Sequence, residues 1–263
     1  MTDTDLKDKI VLITGGANGI GRAAAEAFLA EGSKVAIVDI SEGDLAATAG
    51  DLDVGTERLI TIPADVSRES DVASYVRRTV DVFGTIDVFI NNAGIEGNVG
   101  ALVDQSVADF DRLLAVNVRG SFLGLKYVLP VMYEKGSGAI VNTSSVGGLA
   151  AIGTGASPYA TTKFAVAGLT RLAAREAAAY GVRINSVYPG MTDTGMNRRL
   201  EKGHAAASSK NSPDAGTNNA GMSIPLERWA DPAEIAQGMV FLASAGASYV
   251  AGSQLVIDGG LLA

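Results

Sequence analysis

The chain has 263 residues, 47% of them hydrophobic and 19% charged, with a net charge of -8; the length suits one large domain or two small ones, and the acidic balance disfavours nucleic acid or an anionic membrane surface as a partner. Cysteine is absent and His204 is the single histidine, which excludes disulfides, thiolate nucleophiles, iron–sulfur clusters and cysteine/histidine metal sites, so no metal is expected. The first residues are polar and acidic, unlike a secretory signal, and no apolar run reaches the ~20 residues of a membrane span, so the expected location is the cytoplasm.

Apolar, β-branched runs at 9–14, 34–39, 59–64, 86–91, 138–143, 183–187 and 254–257 predict strands. Between them, helical periodicity covers 20–31, 42–52, 69–83, 107–134, 158–180 and 232–244. This alternation predicts an α/β fold: a single doubly wound, Rossmann-type domain over 1–263, with a seven-stranded parallel sheet and helices on both faces. The segment 195–223 breaks the rhythm, being rich in Ala, Ser, Asn and Gly. Such a run between a strand and a helix is either a lid over a substrate or a disordered connection.

The first strand runs into Thr14-Gly15-Gly16-Ala17-Asn18-Gly19-Ile20-Gly21 and then an Ala-rich helix. Glycine lets the backbone turn sharply and approach a pyrophosphate, and free N–H groups at the helix start attract an anion. A ligand-free glycine turn has the same spacing. The second strand ends at Asp39, whose carboxylate would accept hydrogen bonds from adenosine ribose hydroxyls and repel a 2′-phosphate, favouring NAD over NADP. Neither Asn18 nor Ile40 supplies the cation a 2′-phosphate needs. Asp39 would equally serve as a cap for the helix near Ser41. Asp65 and Val66 after the third strand, and Asn91-Asn92-Ala93-Gly94 at the fourth, fall at the same carboxyl edge, where ligands of open α/β sheets collect.

The fifth strand ends in Asn142-Thr143-Ser144-Ser145, bringing hydroxyls to that rim, where a serine could donate to a carbonyl oxygen as charge develops on it. Next comes Tyr159, with Lys163 four residues on, in a helix that Pro158 starts at its first position. A phenol titrates near 10 and burial raises it further, so acid/base work near neutrality needs adjacent positive charge. Lys163 would supply it, with a drop of about 3 units corresponding to roughly 4 kcal/mol. A serine hydrolase fails on inventory, because the one imidazole is remote and no Gly-x-Ser-x-Gly elbow is present.

Taken in this order, Thr14 to Gly21, Asn91 to Gly94, Asn117, Ser145, Tyr159, Lys163, Pro189-Gly190 and the ending Ile257-Asp258-Gly259-Gly260 resemble the short-chain dehydrogenase/reductase family over nearly the whole chain. The resemblance implies hydride transfer between NAD and a small secondary alcohol or ketone. Tyr159 would be the acid/base, Lys163 would lower its pKa and bind the nicotinamide ribose, Ser145 would orient the substrate oxygen, and Asn117 would hold a relay water. It also implies coenzyme contacts from Gly15, Asn18, Gly19, Ile20, Gly21, Asp39, Ile40, Asp65, Val66, Asn92, Ala93, Gly94, Pro189, Gly190, Thr192 and Thr194. Ser145, 14 residues before Tyr159, is preferred over Ser144. Within the family, Asn92 to Gly97, Ser145 to Gly148 and the tail from Leu226 to Asp258 look like NAD-dependent reductases of cyclic ketones, and Glu96 would touch substrate or face solvent. Family members also imply a homotetramer built through the long helices. Alternatives are a reductase of acyl-carrier-bound ketones, against which Asp39 argues, and a catalytically silent NAD-binding scaffold on the same fold.

Overall fold

The strands carry near-continuous apolar runs because both of their faces are covered. In the computed structural model, which describes residues 4–151, 155–208 and 224–263, every residue of β1 (Ile10–Thr14) is buried. It pairs with β2 (Lys34–Asp39) on one side and β4 (Val88–Asn91) on the other, with Ile13 facing Ile37 and Ile90. Adding β3 (Leu59–Pro63), β5 (Gly138–Thr143), β6 (Val182–Pro189) and β7 (Gln254–Ile257) gives seven parallel strands in the order β3-β2-β1-β4-β5-β6-β7. The order reverses between β1 and β4, so a crevice opens beyond their carboxyl ends.

One face of the sheet is covered by α1 (Gly19–Ala30), α2 (Glu42–Leu52) and α8 (Pro232–Ala243), through Phe28, Leu45 and Ile235. The other is covered by α3 (Glu69–Phe83), α5 (Gly120–Lys135) and α6 (Ser157–Ala177), through Tyr75, Val128 and Ala174. Local signals set several boundaries. Asp231 and Glu234 form a reciprocal capping box at the start of α8, with Pro232 at the first helical position. Arg183 on β6 donates to the carbonyls of Leu242, Ala243 and Ser244, satisfying groups that the end of α8 leaves open.

The predicted helix over 107–134 is in fact three pieces. α4 (Val107–Leu113) passes into a π-helical turn at Leu114–Arg119 before α5 begins. Apolar periodicity cannot register one extra residue in a turn, so the sequence reads as a single helix. The expected irregular segment 195–223 begins as a helix, α7 (Gly195–Ser208), and 209–223 lie outside the described residues. Pro158 occupies the second helical position rather than the first, because α6 starts at Ser157.

The Tyr75 hydroxyl is buried without a hydrogen-bond partner, and burial pushes its pKa up. Tyr75→Phe is expected to leave the fold intact and to raise unfolding stability by up to about 1 kcal/mol, read from urea denaturation. A loss of stability would mean that the hydroxyl has a partner.

Candidate functional site

The carboxyl ends of β1 and β4 are clamped by one amide. Asn92 Nδ2 donates to the carbonyls of Thr14 (3.1 Å) and Gly15 (3.3 Å), and Thr143 Oγ1 donates to Asn92 Oδ1 (3.1 Å). Thr14 Oγ1 in turn accepts from the N–H groups of Asn92 and Ala93. Gly15 has φ 65°, and a Cβ there would meet Ala93 Cα at 2.9 Å. At Gly21 a Cβ would fall on the Gly15 carbonyl, so α1 enters the turn as closely as the chain allows. No side chain caps α1 at Asn18, which leaves its first N–H groups for an anion. A pyrophosphate fits this cradle by charge, by open donors and by the lack of side chains.

Beyond these strand ends lies a cleft of about 620 Å³. Of the residues predicted to contact coenzyme, Gly15, Asn18, Gly19, Ile20, Asp39 and Ile40 line one end of it. Asp65, Val66, Asn92, Ala93 and Gly94 line its middle, and Tyr159, Lys163, Pro189, Gly190, Thr192 and Thr194 the other end. Gly21 supports the turn from behind. Asp39 Oδ2 accepts from Ala17 N (3.2 Å) and Oδ1 from Ser41 N (3.3 Å), so it fastens both the glycine loop and the start of α2. Asp65 Oδ1 is engaged by the N–H and hydroxyl of Ser67. The Thr192 carbonyl accepts from Asn197 Nδ2 (2.7 Å) and Thr194 N (2.8 Å), which braces the start of α7.

At the reactive end, α6 presents Tyr159 and Lys163 one turn apart, with Nζ 5.6 Å from the phenol ring centre. The amine is buried and donates to the Thr143 carbonyl at 2.9 Å. The two serines divide their work. Ser144 Oγ donates to the Lys163 carbonyl (3.0 Å), locking β5 to α6, while the Ser145 hydroxyl hydrogen-bonds the Tyr159 phenol and accepts from Gly147 N (3.1 Å). Asn117 sits in the π-helical turn. Its Oδ1 accepts from Ile95 N (2.8 Å), and its Nδ2 donates to Ile95 O (2.9 Å) and Thr162 Oγ1 (3.0 Å). The amide is therefore committed to joining the β4 loop to α6, which leaves its side-chain donors no part in a water relay.

The electrostatics differ from the sequence expectation. Burial pushes the phenol of Tyr159 up to about 12; the Ser145 hydrogen bond opposes this and the Glu96 charge adds to it. Burial also pushes the amine of Lys163 down to about 8. Desolvation outweighs the attraction expected between the pair, and the amine is turned to the Thr143 carbonyl rather than to the phenol. Glu96 does not point freely into the cleft. It pairs with Arg199 of α7, a cleft-lining residue that sequence reasoning missed. Asp44 and Asn197 were missed too, because in sequence they read as ordinary polar residues of a helix start.

A family model described as enoyl-(acyl carrier protein) reductase matches residues 15–262. Levodione reductase of Leifsonia aquatica is 43% identical over 259 residues, covering 98% of this chain and 95% of that protein. A crystal structure of levodione reductase superposes with a TM-score of 0.87 at 42% identity, covering 97% of both chains. The 2-(R)-hydroxypropyl-CoM dehydrogenase of Xanthobacter autotrophicus is 40% identical over 255 residues, covering 95% of this chain and 97% of its own. An NAD+-bound xylitol dehydrogenase has a TM-score of 0.89 at 32% identity, covering 97% of this chain and 100% of the other.

A buried amine held for a purpose other than stability should cost the fold something. Lys163→Met is expected to raise stability at pH 7 by about 1–3 kcal/mol. The folded-state pKa lies below the unfolded one, so the wild type regains stability as pH rises from about 8 towards 10.5, and the advantage of the variant should fade over that interval. Thermal unfolding at pH 7 and pH 10 measures both.

Proposed function

The chain belongs to the short-chain dehydrogenase/reductase family, and from that premise we propose that it interconverts secondary alcohols and ketones with NAD(H), Tyr159 acting as the acid/base. The observation that carries this reading is the meeting of Tyr159, Ser145 and Lys163 on the wall of a cleft whose far end is a glycine-lined anion cradle. When bound, the nicotinamide supplies or accepts the hydride at the reacting carbon. The chain's own task is to hold the oxygen on that carbon and to move one proton.

In the reducing direction the oxygen lies between the Ser145 hydroxyl and the Tyr159 phenol. Ser145 donates as negative charge builds on the oxygen, and Tyr159 transfers its proton to it. A phenol near 12 is fully protonated at neutral pH and ready for this direction. In the oxidising direction Tyr159 must first lose its proton, so nearby positive charge is required, and the ammonium of Lys163 is the adjacent source. Alcohol oxidation should therefore rise with pH and ketone reduction fall.

NAD is the proposed coenzyme because Asp39 faces the end of the cleft where an adenosine ribose would rest, and Ile40 beside it carries no charge. A small uncharged alcohol or ketone is the proposed substrate class, since the Glu96–Arg199 pair leaves the reactive end without net charge from these two groups. We assign α7 as a cover over the substrate end of the cleft, pinned to the β4 loop by that ion pair. A homotetramer is supported by half-exposed apolar side chains on α5 and α6, including Phe122, Phe164 and Leu172. Among the described residues no helix is long and apolar enough to cross a membrane, and we place the chain in the cytoplasm.

Tyr159→Phe should lower kcat on a panel of alcohols and ketones by a factor of about 1000 or more, while NADH still binds within about threefold of wild type. Retained turnover would remove Tyr159 from its role. Asp39→Ala should raise the NADP to NAD ratio of kcat/KM by about tenfold or more, and an unchanged ratio would reassign Asp39 to anchoring the glycine loop alone.

A further inference from the structure

Five residues beyond Asp39, in the first turn of α2, Asp44 lines the same end of the cleft. Its carboxylate accepts from Asn18 Nδ2 at 3.1 Å, and its own N–H is fixed by Ser41 Oγ at 3.2 Å. Asp39 meanwhile holds Ala17. Adjacent residues of the glycine loop are thus each fastened by a carboxylate, and both carboxylates border the place where the ribose hydroxyls would lie.

Among the described residues that line this end of the cleft, none is a cation that would balance a further anion. The N-terminus of an 11-residue helix would ordinarily attract one, but Glu42 and Asp44 occupy the first turn of α2 and oppose it. Arg22, in the first turn of α1, is paired with Glu26 and Asp51. The side-chain amide of Asn18, on the loop side, is turned to Asp44.

We propose that Asp44 is a second determinant of coenzyme choice, which repels a ribose 2′-phosphate by its charge and withholds from it the Asn18 amide that could otherwise donate. This deepens the reading of Asp39 and rests on it. The two residues act differently. Asp39 selects for free ribose hydroxyls by accepting their hydrogen bonds, whereas Asp44 acts only against the extra phosphate. Removing the Asp44 charge should therefore change NADPH binding and leave NADH binding alone.

The test is direct titration of NADH and NADPH, followed by coenzyme fluorescence, with wild type, Asp44→Asn, Asp44→Ser, Asp39→Ala and the Asp39→Ala/Asp44→Asn double variant. At low salt both Asp44 variants should tighten NADPH binding about fivefold, the scale of one carboxylate acting on a phosphate across roughly 8 Å of water, with NADH within about twofold of wild type. The gain should shrink at 0.5 M salt, since Asp44 is exposed, and it should add to that of Asp39→Ala. If Asp39→Ala tightens NADPH and neither Asp44 variant does, the inference about Asp44 is overturned while the Asp39 reading stands. Equal weakening of both coenzymes would make Asp44 a loop anchor only, which also overturns it. A wild type that binds NADPH as tightly as NADH would overturn both.

Discussion

An amine buried between a sheet and a helix is the constraint around which the rest of the molecule is organised. Taking an ammonium out of water costs several kcal/mol even after relaxation, and Lys163 is only 5% exposed. Its hydrogen bond goes to a carbonyl at the end of β5, so the cost is met only if β5 and α6 keep their spacing. Ser144 holds that spacing from the other side through the Lys163 carbonyl. Gly148 permits it, because a Cβ there would press on both the Ser144 hydroxyl and the Lys163 carbonyl. The two apolar cores supply the stability that such an arrangement consumes: β1, β4 and the centre of β5 are buried throughout, and an aliphatic layer lies on each face.

Buried amides carry this order from the sheet to the site. Asn91 and Asn142 are neighbours across β4 and β5, and Asn91 Nδ2 donates to Asn142 Oδ1 at 2.9 Å. Asn142 continues to Thr170 of α6, and Asn91 to the carbonyl of Ser121, whose hydroxyl donates to the carbonyl of Asn117. The network thereby runs from mid-sheet to both helices flanking the reactive groups. Half-satisfied polar chains are costly in a low-dielectric interior, so the positions of these helices are specified more narrowly than apolar packing alone would require. The π-helical turn belongs to the same device, since it brings Asn117 to Ile95 and Thr162 at once.

The parallel, doubly wound sheet, the glycine turn and the placing of Tyr159 and Lys163 one turn apart were legible in the sequence because each leaves a local pattern: alternating apolar runs, glycine beside a strand end, and a spacing of one helical turn. Choosing Ser145 over Ser144 rested on distance along the chain, and the geometry supplies a reason in the commitment of Ser144 to the Lys163 carbonyl. Three things were not legible. The π-helical turn leaves apolar periodicity nearly unchanged. Arg199 reaches Glu96 across 103 residues, a separation at which no spacing rule operates. The raised phenol of Tyr159 reflects desolvation on the cleft wall, which proximity in sequence does not report.

Charge is graded along the cleft, and this explains how an acidic chain can present an anion site at all. Asp39 and Asp44 border one end, with the glycine loop and the open start of α1 beside them, Asp65 lines the middle, and the Lys163 amine stands at the other end. Of the carboxylates at the first end, Asp39 takes a backbone N–H of the loop itself and so helps to fix it, whereas Asp44 holds only the Asn18 side-chain amide. Under the proposed reading a diphosphate would lie where the first N–H groups of α1 point, between the acids on one side and the phenol and amine on the other. On that reading the acids of the rim and the short stretch of loop backbone beside them act in opposite senses on phosphate, and the register of a coenzyme along the cleft would follow from that contrast.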